Sequence, residues 1–263
     1  MLLAVDVGNS QTVAGLFSDG ELLHDWRVST RRHTTVDELA ASHDTILELR
    51  GGSLTEVEHV VVASVVPELA LAYQALADRY LDRPAIVVGP GVRTGMPLLV
   101  DNPHEVGADR IVNAVAAHAR HGGPCVVVDF GTATTLDVVS RDGEFVGGVI
   151  APGVDSGLDA LSQRAARLMR VELASPPAVI GRNTVESMQS GLVLGAAAMV
   201  DGMIARITEE LGAKPVVIAT GGIAPLVLPH SRLIEHHEPM LTLEGLQLVH
   251  ERTTGARARG RRR

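Results

Sequence analysis

Lysine is almost missing from this chain of 263 residues: it occurs once, at Lys214, and arginine supplies the remainder of the 23 cationic side chains. That excludes a Walker phosphate loop, whose GxxxxGK[ST] pattern needs a lysine in a context Lys214 does not provide. Cysteine also occurs once, at Cys125, so neither a disulfide framework nor a multi-cysteine zinc site is available, and a reducing cytoplasm is the expected compartment. Aromatic residues make up 2% of the chain, leaving few stacking platforms for nucleic-acid bases. Long apolar runs are scarce too. The best candidate is broken by Asp201, and Met1 is followed at once by a strand-like run containing an aspartate, so neither a membrane span nor a signal peptide is expected.

What is present fits a folded α/β protein. With 46% hydrophobic and 21% charged residues the chain can bury a core or two, as one large domain or two small ones. The formal charge is −8, and the one basic cluster is the tail from Arg252, where Arg257, Arg259, Arg261, Arg262 and Arg263 alternate with Gly and Ala. Residues 252–263 therefore read as a solvated, disordered end, and neither nucleic acid nor a membrane is the expected partner of so acidic a body. His236 and His237, flanked by Glu235 and Glu238, read as solvated loop, because adjacent residues diverge in regular structure and cannot share a metal.

Apolar runs of strand length bounded by Gly, Asn and Asp predict strands over 2–8, 12–17 and 21–28, with a tight turn at Asp19-Gly20. A helix over 36–49, a strand over 59–65, a helix over 67–80 and a short buried strand over 85–88 follow. An ungapped shift of 123 residues then places Asp6 on Asp129, Gly8 on Gly131, Thr12 on Thr135, Leu16 on Val139, and Asp19-Gly20-Glu21 on Asp142-Gly143-Glu144. Two meanders of one kind thus begin two halves of the chain. The second, over 124–150, is followed by a helix near 154–168, a long helix over 184–211, a strand over 215–219 and a Gly-Gly turn at 221–222. The repeat predicts two duplicated α/β domains, 1–118 and 119–251.

Each meander carries Asp-x-Gly at the end of its first strand, running into small polar residues: DVGNSQT at 6–12 and DFGTATT at 129–135. Glycine lets a backbone approach a phosphoryl oxygen, hydroxyl and amide groups donate to it, and a carboxylate can hold a hydrated divalent cation. Either turn alone also reads as an ordinary hairpin. The two in register favour the phosphate reading, and in this the chain resembles the acetate and sugar kinase, Hsp70 and actin superfamily, whose duplicated ribonuclease H-like fold sets two phosphate hairpins facing each other across a cleft.

One branch is closer. DVGNS (6–10), DNPHEVGADRIVNAVAA (101–117), VVDFGTATTLDVV (127–139), GGVIAPG (147–153), GRNTVESMQSG (181–191) and ATGGIAP (219–225) together resemble the type III pantothenate kinases, from residue 1 to about 251. The resemblance implies transfer of the γ-phosphoryl group of ATP to the 4′-hydroxyl of pantothenate, opening coenzyme A synthesis, with Asp109 as catalytic base. It implies ATP against Asp6, Val7, Gly8, Asn9, Ser10, Gln11, Thr12 and Val13, with Ser10 in place of the more usual threonine. Gly131 and Thr132 would form the second phosphate hairpin, and Gly221 and Gly222 would line the adenosine pocket. Asp6 would hold magnesium through water, and Asp129 a monovalent cation, potassium or ammonium. Pantothenate would meet Val100, Gly107, Ala108, Asp109, Arg110 and Thr184, although the position of Val100 is commonly tyrosine in the family. A homodimer is implied, with the long helix as its interface.

Taken without the family, several of these residues have plainer readings. Asp109 is also a helix-start aspartate, Arg110 an exposed helix arginine, Thr184 an N-cap before Glu186, and Gly221-Gly222 a strand-to-helix turn. The sequence also admits a non-catalytic regulatory relative, or a kinase of the superfamily acting on another small molecule.

Overall fold

The computed structural model describes residues 1–164 and 170–255. The first half opens with β1 (Leu2–Val7), β2 (Gln11–Ser18) and β3 (Glu21–Ser29), then α1 (Val36–Glu48), β4 (His59–Ser64), α2 (Pro67–Leu81) and β5 (Ile86–Val87). Helix α3 (Ala108–His121) leads to β6 (Cys125–Phe130), β7 (Ala133–Val139), β8 (Phe145–Pro152) and α4 (Val154–Arg164). Helices α5 (Thr184–Gln189) and α6 (Gly195–Leu211), joined by a π-helical turn at Ser190–Leu194, make the long helix, and β9 (Val216–Thr220), α7 (Ala224–Val227), β10 (His236–His237) and α8 (Leu241–Thr254) complete the chain.

Two five-stranded sheets result, with orders β3-β2-β1-β4-β5 and β10-β9-β6-β7-β8. In each, the meander is antiparallel and the next two strands add parallel to its first. The same topology twice is the duplication expected from the repeat. Central strands are buried on both faces, which is why LLAVDV and CVVVDF are nearly unbroken apolar runs.

The repeat is not gapless in space. Asp6 pairs with Val13, so the 123-residue shift would pair Asp129 with Leu136; it pairs with Thr135 instead. The second hairpin turn is one residue shorter, closed by Gly131 N–H on the Ala133 carbonyl where the first uses Gly8 N–H on Gln11. Because side chains alternate faces, the core positions Ala14 and Leu16 correspond to Leu136 and Val138, a shift of 122. Thr12 therefore corresponds to Thr134, not Thr135. The meanders regain the 123 shift at the next turn. Asp19 (φ 51°) and Gly20 (φ 86°) make a two-residue turn of type I′, whereas in the second half only Gly143 (φ 81°) is left-handed and Ser140 Oγ accepts from both Asp142 N and Glu144 N.

Chain contacts group residues 1–96, 101–116 and those from Leu241 on into one compact unit, and 97–100 with 117–240 into another. This differs from the division at 118/119 and 251/252 that the repeat implies, and the reason is that a sheet has two faces. Leu3, Val5 and Val7 face α1 and α2, whose Leu39, Leu47, Leu69, Tyr73 and Leu76 complete that core. The opposite face is covered by α8, which packs on β1, β2 and β4. Gly245 lets α8 approach α3 so closely that a Cβ there would lie 2.1 Å from the Val112 carbonyl oxygen. Arg252 accordingly belongs to a helix, its Nη1 donating to the Thr94 carbonyl, and does not begin a tail. The other arginines of the expected tail lie outside the described residues.

In the second unit Val126, Val128, Phe130, Leu136 and Val138 pack against α6 through Ala197, Val200 and Ile204. Residues 184–211 form a helix long and apolar enough, by length and composition alone, to cross a membrane. Its Asp201 organises the chain elsewhere, accepting from Ser231 Oγ (2.6 Å), Arg232 N (2.9 Å) and Leu233 N (3.3 Å). Smaller differences from expectation are that 86–87 is only half-buried and that His236-His237 is a short parallel strand on β9 rather than a loop. Residues 165–168, expected to end the helix after the second meander, are among those not described.

Candidate active site

Both Asp-x-Gly turns stand where a central strand ends. In the first unit Asp6 is half-buried, Val7 and Thr12 are buried, Val13 is half-buried, and Asn9, Ser10 and Gln11 are exposed at the turn. A Cβ on Gly8 would come within 2.9 Å of the Gln11 carbonyl oxygen, so glycine is what allows the turn to close. In the second unit Gly153 and Ser156 brace the hairpin from behind. Gly153 N–H (3.2 Å) and Ser156 Oγ (2.6 Å) both donate to the Thr132 carbonyl, and a Cβ on Gly153 would sit 2.4 Å from the carbonyls of Gly131 and Thr132. Neither residue was singled out from sequence; Gly153 ends the GGVIAPG string, and its role depends on a contact 21 residues away in the chain.

Gly221 is also fixed by the second hairpin. Its φ is +95°, and a Cβ there would meet Asp129 Oδ1 at 2.5 Å and the Phe130 carbonyl oxygen at 2.6 Å. A carboxylate oxygen and a carbonyl oxygen thus lie side by side, packed against the Gly221 backbone. These hard oxygen donors suit a monovalent cation. A Cβ on Gly222 would meet nothing within 4 Å, so that backbone is open to a ligand. Gly221-Gly222 is the strand-to-helix turn between β9 and α7, the plainer of the two readings of these glycines.

The DNPHEVGADR string becomes a cap followed by a helix start. Asn102 Oδ1 accepts from His104 N (3.2 Å) and its Nδ2 donates to Glu105 (2.7 Å), shaping a 3-10 turn over Pro103–Glu105. Gly107 and Ala108 then enter α3, with Ile111, Val112 and Val115 buried. Asp109 Oδ1 accepts from Arg110 N (2.9 Å) and lies 2.4 Å from where a Gly107 Cβ would be. Gly107 thus makes room for a carboxylate fixed through one oxygen. Oδ2 has no hydrogen-bond partner among the described residues. Val100 is half-buried and grouped with the second unit by Leu99 N–H, which donates to the Phe145 carbonyl (2.8 Å).

Thr184 is not an N-cap. Asn183 fills that position, its Oδ1 accepting from Glu186 N (2.9 Å), while Glu186 accepts from Arg182 N (2.8 Å). The Thr184 hydroxyl is exposed, makes no hydrogen bond among the described residues, and lines a cavity of about 740 Å³ with Gly181, Arg182, Asn183, Ser187 and Met188. The local sequence could not separate the two neighbours, since either side chain can cap a helix.

The comparisons with known proteins agree with these strings. A chain from Acidothermus cellulolyticus named type III pantothenate kinase is 52% identical over 255 residues, covering 96% of this chain and 98% of that one. Among solved structures, a Baf family transcriptional activator from Campylobacter jejuni superposes with a TM-score of 0.61 at 19% identity, covering 97% of this chain and 100% of that one. The activator of 2-hydroxyisocaproyl-CoA dehydratase from Clostridium difficile, solved with ADPNP, gives 0.57 at 11% identity, covering 97% and 96%. Such distant likeness establishes the duplicated actin-like α/β fold alone. Substrate class is carried by the family: the type III pantothenate kinase model matches residues 2–206, and with half of all positions shared along nearly the full length of a named relative, this chain belongs to that family.

Proposed function

We propose that the protein transfers the γ-phosphoryl group of ATP to the 4′-hydroxyl of pantothenate. The observation that carries this reading is the family match over residues 2–206 together with the carboxylate of Asp109, held through one oxygen at the start of α3 with the other available. That second oxygen accepts the hydrogen bond of the substrate hydroxyl and directs its lone pair at phosphorus. A carboxylate is a weak base. In a loose transition state the hydroxyl keeps its proton until late, so orientation is the larger part of the task.

Arg110, next along the helix, presents a planar fork suited to the pantothenate carboxylate, and Thr184 offers its uncommitted hydroxyl. Val100 stands near the entry to this string and contributes neither a ring nor a hydroxyl. The first hairpin, Asp6 to Val13, and the second, Gly131 and Thr132, hold phosphates through backbone and hydroxyl groups, and Gly221-Gly222 admits the adenosine. Asp6 would hold magnesium through water, and Asp129 with the Phe130 carbonyl would hold potassium or ammonium. These ions would offset phosphate charge, while fixing the nucleophile belongs to Asp109.

A homodimer is part of the reading. Gly191, Gly195, Ala198, Gly202 and Ala205 form an exposed stripe of small residues on the long helix, and a Cβ on any of the three glycines would meet nothing within 4 Å. Such a stripe admits close approach of a second helix. We place the enzyme in the cytoplasm.

Mass spectrometry of pantothenate incubated with ATP and magnesium, with and without potassium or ammonium, tests the reading. Cation-dependent 4′-phosphopantothenate that disappears in Asp109→Asn is expected. A folded protein that binds ATP yet yields no product under any cation refutes it.

A further inference from the structure

The segment between β3 and α1 reads Ser29-Thr30-Arg31-Arg32-His33-Thr34, and it is fastened to the first hairpin turn. Thr30 N–H donates to the Ser10 carbonyl (3.0 Å), the hydroxyls of Thr12 and Thr30 share a hydrogen bond (2.9 Å), and Arg32 Nη2 donates to Asn9 Oδ1 (3.4 Å). Beside this strap, within the first unit, opens a cavity of about 780 Å³ with Thr30, Arg31, Arg32, His33 and Thr34 among its lining residues.

The charges in this cavity are unbalanced. Arg31 and Arg32 are exposed, and neither joins an ion pair among the described residues, although the chain as a whole carries −8. Glu38, the acidic group on the cavity wall, is engaged by a capping box, accepting from Thr35 N (2.8 Å) and Thr35 Oγ1 (2.9 Å). The start of α1 is thereby satisfied by its own side chains, so the guanidinium groups are what make the wall positive. Glu38 lies within electrostatic reach of Arg31, so one carboxylate faces two adjacent guanidinium groups and the wall keeps a net positive charge that a bound anion neutralises. Lysine cannot serve here, since Lys214 is paired with Glu235 (3.4 Å) in the other unit.

A guanidinium matches the geometry of two phosphoryl oxygens, and the strap fixes its position relative to the turn that we assign to phosphate. We propose that this cavity is a phosphoryl-binding site in which Arg32 contacts two oxygens of a terminal phosphoryl group and Arg31 balances the remaining charge. The proposal rests on the phosphotransferase reading above. Its ligand is a phosphoryl dianion, a chemistry shared by the γ-phosphate of ATP and the phosphate of 4′-phosphopantothenate.

Calorimetric titration of ATP, ADP, pantothenate and 4′-phosphopantothenate into the wild type, Arg32→Ala and Arg32→Lys tests it, with Arg50→Ala, an exposed arginine beyond α1, as control. If the ligand is nucleotide, Arg32→Ala binds ATP about tenfold to a hundredfold more weakly while ADP changes less than about twofold. If it is product, the same loss falls on 4′-phosphopantothenate and spares pantothenate. Arg32→Lys recovers part of the loss, because one ammonium lacks the fork, and Arg50→Ala matches the wild type. Equal weakening of all four ligands, or of none, overturns the site. A wild type that binds ATP but does not phosphorylate pantothenate refutes the substrate reading alone and leaves the ATP and ADP comparison to decide Arg32. A wild type that binds no phosphorylated ligand overturns both.

Discussion

Acid should destabilise the first unit through one histidine. His43 is 1% exposed between α1 and α2, and Trp26 Nε1–H donates to its Nδ1 (3.1 Å). A neutral ring so held carries its proton on Nε2 and donates it to Tyr73 Oη (2.8 Å). Burial pushes the His43 pKa down from 6.5 to about 4. That difference corresponds to about 3 kcal/mol in favour of the neutral ring in the folded state. Above pH 6.5 both states are neutral and the stability is intact. Between 6.5 and about 4 only the unfolded chain takes up the proton, so stability falls with pH; below 4 this contribution is exhausted. Trp26 is the only tryptophan and touches His43, so its fluorescence reports unfolding of this unit directly. Urea titrations at pH 7.5 and 4.5, at one fixed protein concentration, should show the wild type losing about 2–3 kcal/mol more than His43→Gln, which keeps a donor and an acceptor but does not titrate. His250, whose pKa is also lowered to about 4, remains in both proteins and cancels in the comparison. Equal acid losses in the two proteins would refute the reasoning.

Other substitutions probe packing and the site. Gly245→Ala places a methyl against the Val112 carbonyl and should cost about 1–3 kcal/mol, read as a lowered melting temperature. Gly221→Ala drives a Cβ into the Asp129 carboxylate and strains a left-handed residue, so turnover should fall, and with it the potassium stimulation proposed above, in a protein that still melts cooperatively. Thr184→Val should raise the KM for pantothenate several-fold with kcat little changed, because the exposed hydroxyl makes no hydrogen bond among the described residues; an unchanged KM removes Thr184 from the pocket. Val100→Tyr should lower that KM, and no change would mean that the valine is compensated from elsewhere.

Local strings were legible because their chemistry is local. Asp-x-Gly at a strand end, Asp19-Gly20 between two alternating runs, and GADR ahead of an amphipathic helix each announce their conformation through residues a few positions apart. Where a neighbour could do the same work, the sequence stayed ambiguous: Asn183 and Thr184 can both cap, and only the backbone shows that Asn183 does. The ungapped repeat misled for a related reason. Identical Asp-Gly-Glu triplets follow hairpins that differ by one residue, and a later turn restores the shift, so the alignment hides the displacement of β7.

The sequence by itself determined the duplicated topology, the places of the two Asp-x-Gly turns and the family strings, since periodicity, turn chemistry and motif order are properties of contiguous residues. Tertiary structure alone decided which distant groups meet. It placed α8 on the open face of the first sheet, Gly153 and Ser156 behind the second hairpin, Gly221 over the Asp129 carboxylate, and Arg32 beside Asn9. Each of these depends on close approach between segments far apart in the chain, and such contacts are set by the packing of whole faces, which no short window of sequence contains.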